Sequence, residues 1–442
     1  MRPTLSLAAA IVLAGCGSMA PSPGRAPVAW TQFGLGDQPQ LIARVLIDDG
    51  SCPSITIDGV TTTMRERQDP RAAVFGRLCE ERRPLAERLQ VRIAAGDRVL
   101  LDQEVTRRPQ TIAVLGDTGC RVQPSYDQHC DKPAKWPFAQ VANAAVARGA
   151  GLIVHLGDFY YREAQCLTPP PNDSCTTPPP FGDRGETWRA EFFGPAGGLL
   201  PKAPWLFVRG NHEDCMRGGK GWAYYFGDGG GDCDLVHQEA IIRLSGLTLI
   251  NVDSAHADDP AALQVVNANW QSIADSIVGR LAGTTGTIVL VTHIPQYVEC
   301  PQGCDKIRTA NIGGVRTIAD RLRATGRPVI LLAGHFHAFQ AFDSPGIRQV
   351  IVGNGGANLD PYKDALAVPP NVTQSSYADW RRSPQDLQTI VGGRAVPGRA
   401  QTWATFGFAV LTPATHDLTL YDAAGNRQFA CDLGRRTSSH CR

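Results

Sequence analysis

Polar side chains of the kinds that bind metal ions follow most of the apolar runs in this 442-residue chain. Aspartate, asparagine, histidine and tyrosine stand where a buried strand would end. In open α/β sheets, ligands bind beyond the carboxyl ends of the strands, so we expect these side chains to meet. The seven candidates are Asp117, Asp158, Tyr161, Asn211, His293, His335 and His337.

The chemistry of these donors narrows the choice of metal. Oxygen and nitrogen ligands of this kind suit iron, manganese or zinc better than copper(I). A shared aspartate could bridge two ions about 3.5 Å apart, the spacing of two-metal hydrolases. Glycines stand directly before Asp117, Asp158, Asn211 and His335 and allow the backbone to approach the ions closely. The pattern therefore predicts a two-metal hydrolytic site.

The elements that must position these residues are strands alternating with helices. The strand-like runs are TIAVL, LIVHL, PWLFV, LTLINV, TIVLV, PVILL and RQVIV. Three segments have the apolar spacing of about 3.6 residues that is typical of helices: FAQVANAAVARGA, NWQSIADSIVGRLAG and VRTIADRLRATG. Continuously apolar strands alternating with helices predict an α/β fold whose sheets are covered on both faces.

Five sequence blocks occur in the order GD, GDxxY, GNHE, VTHIP and GHFH. This ordered set resembles the calcineurin-like metallophosphoesterases and, more narrowly, their purple acid phosphatase branch. The general family has Asp-x-His in its first block, where this chain has Asp117-Thr118-Gly119, and it usually lacks the tyrosine found here as Tyr161. The resemblance covers residues 110–433. The stretches VGNGGANLDP and FGFAVLTPATHDLTLYD are most similar to the small, tartrate-resistant-type enzymes.

The resemblance implies a fold: a four-layer αββα metallophosphoesterase sandwich of two mixed sheets flanked by helices. It also implies two metal sites that share one aspartate. The ferric site would be Asp117, Asp158, Tyr161 and His337, and the site for a divalent iron, zinc or manganese ion would be Asp158, Asn211, His293 and His335. The implied activity is hydrolysis of phosphomonoesters by a metal-bound hydroxide, at acidic pH.

His212, inside the GNHE block, is the catalytic side chain that the resemblance implies. It would contact the phosphate of a small phosphorylated substrate and help to protonate the leaving group. The small enzymes carry another substrate-side histidine shortly after the fourth block, but HIPQYVECPQGC has none after His293. Among the other polar residues, we expect His155 to support the site rather than to bind metal, and Glu213 to orient a neighbour. Asp253 and His256 could lie behind the site or at its rim.

The first 30 residues have the features of an export signal followed by a tether. A single basic residue precedes an apolar stretch and small residues, as in signal peptides. Leu13-Ala14-Gly15-Cys16 resembles the lipobox of bacterial lipoproteins, whose cysteine carries the lipid, although cleavage after Ala20 is an alternative. We therefore predict a signal peptide over residues 1–15, a tether over 16–30, a small β-rich domain over 31–108 and a catalytic domain over 109–442. The protein would be exported and anchored to the bacterial cell envelope by a lipid on Cys16.

Thirteen cysteines are many for a reducing compartment, and twelve remain when Cys16 is set aside. An even number is expected of an exported protein with disulfides. Pairing of neighbours is the simplest connectivity, although the sequence cannot prove it; zinc binding is the weaker alternative because the CxxC pairs of zinc sites are missing. The neighbouring couples are Cys52 with Cys79, Cys120 with Cys130, Cys166 with Cys175, Cys215 with Cys233, Cys300 with Cys304, and Cys431 with Cys441.

The near-equal numbers of basic and acidic residues argue against nucleic acid as a partner. With 43 basic and 42 acidic residues, the formal net charge is +1, which gives no footprint for nucleic acid. Two other functions fit the same fold: hydrolysis of phosphodiesters or nucleotides, and binding without catalysis in the cell envelope. A panel of monoester and diester substrates would distinguish the two enzyme functions. Loss of metal ligands would have indicated a binding protein, but all seven candidate ligand positions carry residues that can bind metal.

Overall fold

The computed structural model describes residues 26–36, 40–123, 126–166, 180–228, 233–234, 239–256, 263–296, 312–344, 347–360, 399–434 and 441. The predicted signal peptide, most of the tether, and Cys16, Cys175, Cys300 and Cys304 lie outside the described residues.

The described residues form strands and short to medium helices. The strands are β1 (Val28–Phe33), β2 (Gln40–Ile47), β3 (Ser54–Ile57), β4 (Val60–Thr63), β5 (Arg65–Glu66), β6 (Arg77–Pro84), β7 (Arg88–Ala95), β8 (Arg98–Thr106), β9 (Ile112–Leu115), β10 (Val122–Gln123), β11 (Tyr126–Asp127), β12 (Leu152–His155), β13 (Trp205–Phe207), β14 (Ala240–Arg243), β15 (Leu247–Asn251), β16 (Thr287–Val291), β17 (Val329–Ala333), β18 (Phe339–Ser344), β19 (Ile347–Val352), β20 (Arg399–Trp403), β21 (Gly407–Thr412), β22 (Asp417–Asp422) and β23 (Arg427–Asp432). The α-helices are α1 (Ala72–Phe75), α2 (Phe138–Val146), α3 (Gly185–Trp188), α4 (Gly219–Tyr225), α5 (Leu263–Arg280) and α6 (Ile312–Arg323), with a π-helix at Arg189–Phe193 and a 3-10 helix at Asn211–Glu213.

Two large mixed sheets contain the strands that the sequence predicts. The first has ten strands in the order β23-β22-β21-β9-β12-β13-β1-β2-β6-β5, and the second has seven in the order β14-β15-β16-β17-β19-β18-β20. Strands β9, β12 and β13 are parallel neighbours in the first sheet, as are β15, β16, β17 and β19 in the second. Each of the seven apolar runs is one of these parallel strands, so the carboxyl ends in each sheet lie at one edge.

The two sheets pack face to face, and side-chain alternation along β16 shows how. Val289 and Val291 lie in a buried cluster shared by both sheets. Ile288 and Leu290, which point the opposite way, lie in a second cluster together with residues of α5 and α6. Because successive side chains of a strand point to opposite faces, one face of this sheet meets its partner sheet and the other meets helices. Burial of each such side chain contributes roughly 1.5–3 kcal/mol.

The first sheet repeats this arrangement on the other side. Val114 of β9 belongs to the cluster between the sheets, whereas Ala113 and Leu115 pack in a third cluster with α2 and the aromatic residues around Trp188. The layers are therefore helix, sheet, sheet and helix. The predicted four-layer sandwich is confirmed.

The N-terminal β-rich segment is joined to the first large sheet. Strand β1 lies parallel to β13, with Gln32 opposite Trp205, and β2, β6 and β5 continue the sheet outwards. The remaining strands of the segment form a separate sheet in the order β4-β3-β7-β8. Strand β2 is buried on both faces from Leu41 to Ile47, which suits the interior of a large sheet. The expected boundary at 108/109 therefore divides segments that share one sheet.

Four predicted cysteine couples are disulfides in the structure, namely Cys52–Cys79, Cys120–Cys130, Cys215–Cys233 and Cys431–Cys441. Cys166 is also disulfide-bonded. These bonds fit an oxidising compartment outside the cytosol. Among the described residues, no helix has both the length and the apolar character needed to cross a bilayer.

Candidate metal centre

The seven candidate ligands meet where the carboxyl ends of the two sheets face each other. Asp117 follows β9, Asp158 and Tyr161 follow β12, and Asn211 begins the 3-10 helix after β13. From the second sheet, His293 follows β16, and both His335 and His337 follow β17. The site therefore exists only because the two sheets pack together.

Two groups of ligand atoms overlap at one carboxylate. Asp158 lies with His293 and His335 in one group, and with Asp117 and His337 in the other. In each group the ligand atoms lie within 4.8 Å of one another. An aspartate common to two such groups is the arrangement that bridges the ions of two-metal hydrolases.

Tyr161 adds a phenol oxygen to the second of these groups. Its Oη lies 2.6 Å from Asp158 Oδ2, 2.7 Å from His337 Nε2 and 3.4 Å from Asp117 Oδ1. The residues on this side are thus two carboxylates, a phenol and an imidazole. Such hard oxygen donors suit a strongly Lewis-acidic ion.

Asn211 completes the first group with a neutral oxygen. Its Oδ1 lies 2.9 Å from His293 Nε2 and 2.9 Å from His335 Nδ1. Apart from Asp158, this side therefore consists of uncharged donors. The two halves of the site differ in charge, although they share one residue.

Backbone carbonyls orient two of the imidazoles for metal binding. The Nδ1–H of His293 donates to Leu156 O at 2.7 Å, and the Nδ1–H of His337 donates to Asn358 O at 2.7 Å. In each ring the opposite nitrogen, Nε2, then carries a lone pair directed at the other ligands. Hydrogen bonds of this kind fix the tautomer of metal-binding histidines. These residues fit a metal site.

The backbone at the site is in a conformation that non-glycine residues rarely adopt. The φ angles are 54° at Asp117, 59° at Asp158 and 75° at His335. Left-handed conformations at such residues cost on the order of 1–3 kcal/mol each and cluster at functional sites. Gly157 is itself at φ 96°, and a Cβ there would lie 2.7 Å from His293 Nδ1. A glycine is therefore required at this position.

The carboxylate of Glu213 holds the loop that carries Asp158. It accepts hydrogen bonds of 2.8–2.9 Å from the backbone N–H groups of Asp158, Phe159, Tyr160 and Gly210. Burial raises the pKa of Glu213 well above its usual value, and the charge of Asp158 adds to the shift. Glu213 therefore orients the backbone of two sequence blocks, GDxxY and GNHE.

Glu191 is a second such clamp, and sequence reasoning missed it. Its Oε1 accepts from the backbone N–H of Cys120 at 2.8 Å and of Tyr161 at 2.9 Å, so it joins the loops after β9 and β12. Burial raises its pKa to about 7, although Arg162 and the N–H donors oppose this shift. Glu191 lies on the π-helix, outside every sequence block, and nothing local in the sequence marks it.

Gly119 explains why the first block differs from the general family pattern. A Cβ at this position would lie 2.6 Å from Tyr161 Cδ2 and 2.8 Å from Glu191 Oε1. The ring of Tyr161 thus occupies the space that a side chain at 119 would need. A histidine in the first block and this tyrosine therefore exclude each other.

The three acidic ligands differ in how readily they lose their protons. Burial raises the pKa of Asp117 well above its usual value, and Asp158 adds to the shift. Burial also acts to raise the pKa of Asp158, but the His293 and His212 rings outweigh it and hold that pKa well below its usual value. Burial and both carboxylates raise the pKa of Tyr161 well above its usual value. The phenol therefore needs a strongly Lewis-acidic ion to become an anionic ligand.

Lowered pKa values favour the neutral, metal-binding form of two of the imidazoles. Burial, and next the His293 ring, lower the pKa of His335 to about 3. Burial likewise lowers the pKa of His337. A neutral ring offers a lone pair to a cation, so the lowered pKa of each of these two residues favours metal binding.

His212 lies beside the ligand groups but in neither of them. Its backbone N–H donates to Asp158 Oδ1 at 3.0 Å. Its ring packs on the ring of Tyr161, with centroids 4.0 Å apart. A side chain tied to the site but outside both ligand groups can act on a substrate.

Three other polar residues considered from the sequence make buried polar contacts. His155 donates from Nε2 to Thr118 Oγ1 at 2.9 Å, because its Nδ1 accepts from the Gly157 N–H. Asp253 lies 3.2 Å from the guanidinium of buried Arg209. His256 Nε2 also lies 3.4 Å from that guanidinium.

The chain is similar to known proteins in sequence profile and in fold. The sequence profile of the calcineurin-like phosphoesterases matches residues 110–339, more than half of the chain. No curated protein matches the chain. Among solved structures, purple acid phosphatase PPD1 from seeds of yellow lupin (Lupinus luteus) is similar, with a TM-score of 0.57 and 12% identity over 92% of this chain and 74% of that chain. This likeness shows a shared fold.

A second solved structure is GAP50, the anchor in the inner membrane complex of Plasmodium. It has a TM-score of 0.43 and 12% identity, over 76% of this chain and 88% of that chain. A similarity this low supports no argument.

The shared position of Asp158 generates a prediction about metal content. Asp158→Asn should lose both ions, because the amide cannot serve as an anionic bridge, whereas His337→Ala should lose mainly one of about two ions per chain. Elemental analysis of purified protein measures this difference. Asp102→Asn, an equivalent change at an exposed ion pair, is the control and should keep both ions. Retention of both ions by Asp158→Asn would contradict the shared role.

Proposed function

Because the chain belongs to the calcineurin-like phosphoesterase family, we propose that it hydrolyses phosphomonoesters at a centre of ferric iron and one divalent iron, zinc or manganese ion. Asp117, Asp158, Tyr161 and His337 would hold the ferric ion. The divalent ion would be held by Asp158 together with a separate set of neutral donors, namely Asn211, His293 and His335.

The observation that carries this proposal is the position of the Tyr161 oxygen, 2.6 Å from the shared carboxylate and 2.7 Å from His337 Nε2. Tyr161 and Asp117 thus lie on the same side of Asp158, and a trivalent ion suits this concentration of anionic donors. The neutral oxygen of Asn211 and two imidazoles match a divalent ion on the other side. Three anionic side chains leave such a pair of ions with net positive charge, which attracts a phosphomonoester anion.

The bound ions would polarise phosphoryl oxygens and supply hydroxide at acidic pH, since ferric iron acidifies water strongly. The chain's own residues have other tasks. Glu213 and Glu191 fix the loops that carry the ligands. His212, packed on Tyr161 beside both ligand groups, would contact the phosphate and give a proton to the leaving group.

A substrate panel with metal analysis of the same preparation tests this function. Monoesters should be hydrolysed faster than diesters, with higher rates at acidic than at alkaline pH. Preference for diesters or nucleotides would favour the alternative enzyme on the same fold. A fully metallated protein that hydrolyses none of them would indicate a binding protein.

We also propose that the protein is anchored to the cell envelope by a lipid on Cys16, on the strength of the lipobox-like sequence and of disulfides that fit an oxidising compartment. Cys16→Ser should move the protein from the membrane fraction to the soluble fraction. Immunoblotting of fractionated cells measures this shift. Unchanged membrane association would rule out the lipid on Cys16.

The role of Tyr161 predicts a colour. A phenolate bound to ferric iron absorbs visible light by charge transfer, so the oxidised protein should be coloured and Tyr161→Phe should be bleached. Absorption spectra of the two proteins, at equal iron content, measure the effect. Tyr160→Phe, a neighbouring tyrosine whose hydroxyl donates to Arg162 O, is the control and should keep the colour. Full colour in Tyr161→Phe would remove this residue from the iron site.

The position of His212 predicts a kinetic effect without loss of metal. His212→Asn should keep both ions but lose roughly 100-fold in kcat/KM, the scale of a positioned acid. The loss should be smaller for aryl phosphates, since a good leaving group needs less protonation. Kinetics on aryl and alkyl phosphates, with metal analysis, measure both effects. Near-normal rates on alkyl phosphates would exclude His212 from the mechanism, and loss of an ion would make it a structural residue.

A further inference from the structure

The end of strand β15 supplies none of the seven candidate ligands, but it contacts the loops of two of them. Asn251 is the last residue of this strand, and Asp253 and Ser254 follow it closely. All three side chains are buried. Buried polar groups need hydrogen-bond partners, and the partners of these three lie on both large sheets.

Two of these side chains reach the first sheet, next to Asn211. The side-chain amide of Asn251 donates to the carbonyl oxygen of Phe207, the last residue of β13, at 3.1 Å. Asp253 Oδ2 lies 3.2 Å from Nη1 of Arg209. Both contacts fall on the segment that leads from β13 to the 3-10 helix. The end of β15 is therefore joined to the start of the loop that carries Asn211.

Arg209 extends this connection to the 3-10 helix itself. Its guanidinium is buried and donates from Nε to Glu213 O at 2.7 Å and from Nη1 to Asp234 O at 2.6 Å. Nη2 lies 2.9 Å from the sulfur of Cys233, which forms a disulfide with Cys215. A guanidinium presents its N–H donors in fixed directions, so it holds several acceptors in one arrangement. The turn that carries the ligand is thus bound to this one cation.

Ser254 reaches the second sheet on both sides of His293. Its Oγ accepts from the hydroxyl of Thr292 at 2.7 Å and from the backbone N–H of Ile294 at 2.9 Å. These two donors flank the ligand in the sequence, so a single oxygen fixes the chain before and after it. The ring is held separately, by its bond to Leu156 O. Ser254 therefore determines where the backbone of this ligand lies.

We propose that residues 251–254 and Arg209 form a bridge of positioning residues, which sets the separation of Asn211 and His293 and thereby the affinity of the site for its divalent ion. The inference rests on the proposed two-metal centre and assigns a role to a strand end outside the five sequence blocks. The two ligands come from different sheets, yet Asn211 Oδ1 lies 2.9 Å from His293 Nε2. A continuous series of hydrogen bonds through the bridge joins their loops.

The ligands of the ferric half are held by other groups. The backbone N–H of Tyr161 donates to Glu191, and Nδ1–H of His337 donates to Asn358 O. Loss of the bridge should therefore weaken binding of the divalent ion and leave the ferric ion in place. A general loss of stability would not discriminate between the two halves in this way.

Two substitutions break the bridge at different points. Ser254→Ala removes the oxygen that accepts from the His293 loop. Arg209→Lys keeps a cation beside Asp253 but lacks the planar fork that holds several acceptors together. Each should weaken zinc binding at the divalent site about 10- to 100-fold, the range for loss of a residue that orients metal ligands. Iron content and the visible absorption expected from Tyr161 should stay as in the wild type.

Zinc titration of the iron-loaded protein, in competition with a chromophoric chelator, measures the dissociation constant. Two controls change equivalent groups elsewhere in the chain. Thr31→Val removes a buried hydroxyl that accepts from the Gln103 side chain. Arg44→Lys alters a buried guanidinium that donates to the carbonyl oxygens of Tyr225 and Gly227. Both controls should lower the thermal midpoint and keep the zinc affinity of the wild type.

A double-mutant cycle tests whether the contacts act as one bridge. If the two loops are joined in series through the end of β15, breaking a second link should cost little once the first is broken. The combined variant Ser254→Ala with Arg209→Lys should then lose far less zinc affinity than the product of the two single effects. Independent supports would give losses that multiply.

The outcomes separate this inference from the proposed function. Wild-type zinc affinity in both variants, loss of iron together with zinc, or losses that multiply would overturn the bridge and leave the phosphatase function standing. If the variants weaken zinc binding as expected but the wild-type chain hydrolyses no phosphomonoester, the bridge stands and the phosphatase function fails. A wild-type chain that holds fewer than two ions would overturn both. Should Arg209→Lys not fold, the zinc affinity of Ser254→Ala alone decides.

Discussion

The buried carboxylate of Asp158 is the constraint around which the site is built. It touches both ligand groups, with Tyr161 Oη at 2.6 Å and His293 Nε2 at 3.3 Å, and it accepts from the His212 backbone. An uncompensated buried charge is very costly, so it must be surrounded by hydrogen-bond donors or cations. The second carboxylate, Asp117, makes that need larger. Both facts favour a site that is completed by positive ions.

The protein secures this carboxylate with other buried acids. Glu213 accepts from four backbone N–H groups around Asp158, and Glu191 joins the loops of Cys120 and Tyr161. Such bonds hold the strained, left-handed backbone that aims the ligands. The outer residues thus stabilise a local conformation that the ligand residues alone would not keep. We regard this double clamp as the reason that ligands from different strands can be set within hydrogen-bonding distance.

The sandwich fold supplies the remaining requirement, which is to bring two sets of strand ends together. The first sheet carries the carboxylates and the phenol, and the second carries the three histidines. Neither sheet alone has a complete donor set. The apolar cluster between the sheets, which includes Val114 and Val289, therefore stabilises the fold and also joins the halves of the site.

Much of the fold and of the metal centre could be predicted from the amino-acid sequence. What could not be predicted has a physical reason. Apolar runs, helical periodicity and the kind of residue after each strand are local, so the sequence determined the strands, the layered α/β class and the candidate ligands. Contacts between distant segments depend on packing. Only the tertiary structure showed that β1 pairs with β13, that Glu191 reaches Tyr161 and that Ser254 reaches the loop of His293. These residues carry no local pattern, because a buried polar side chain is given its role by the groups that the fold places around it.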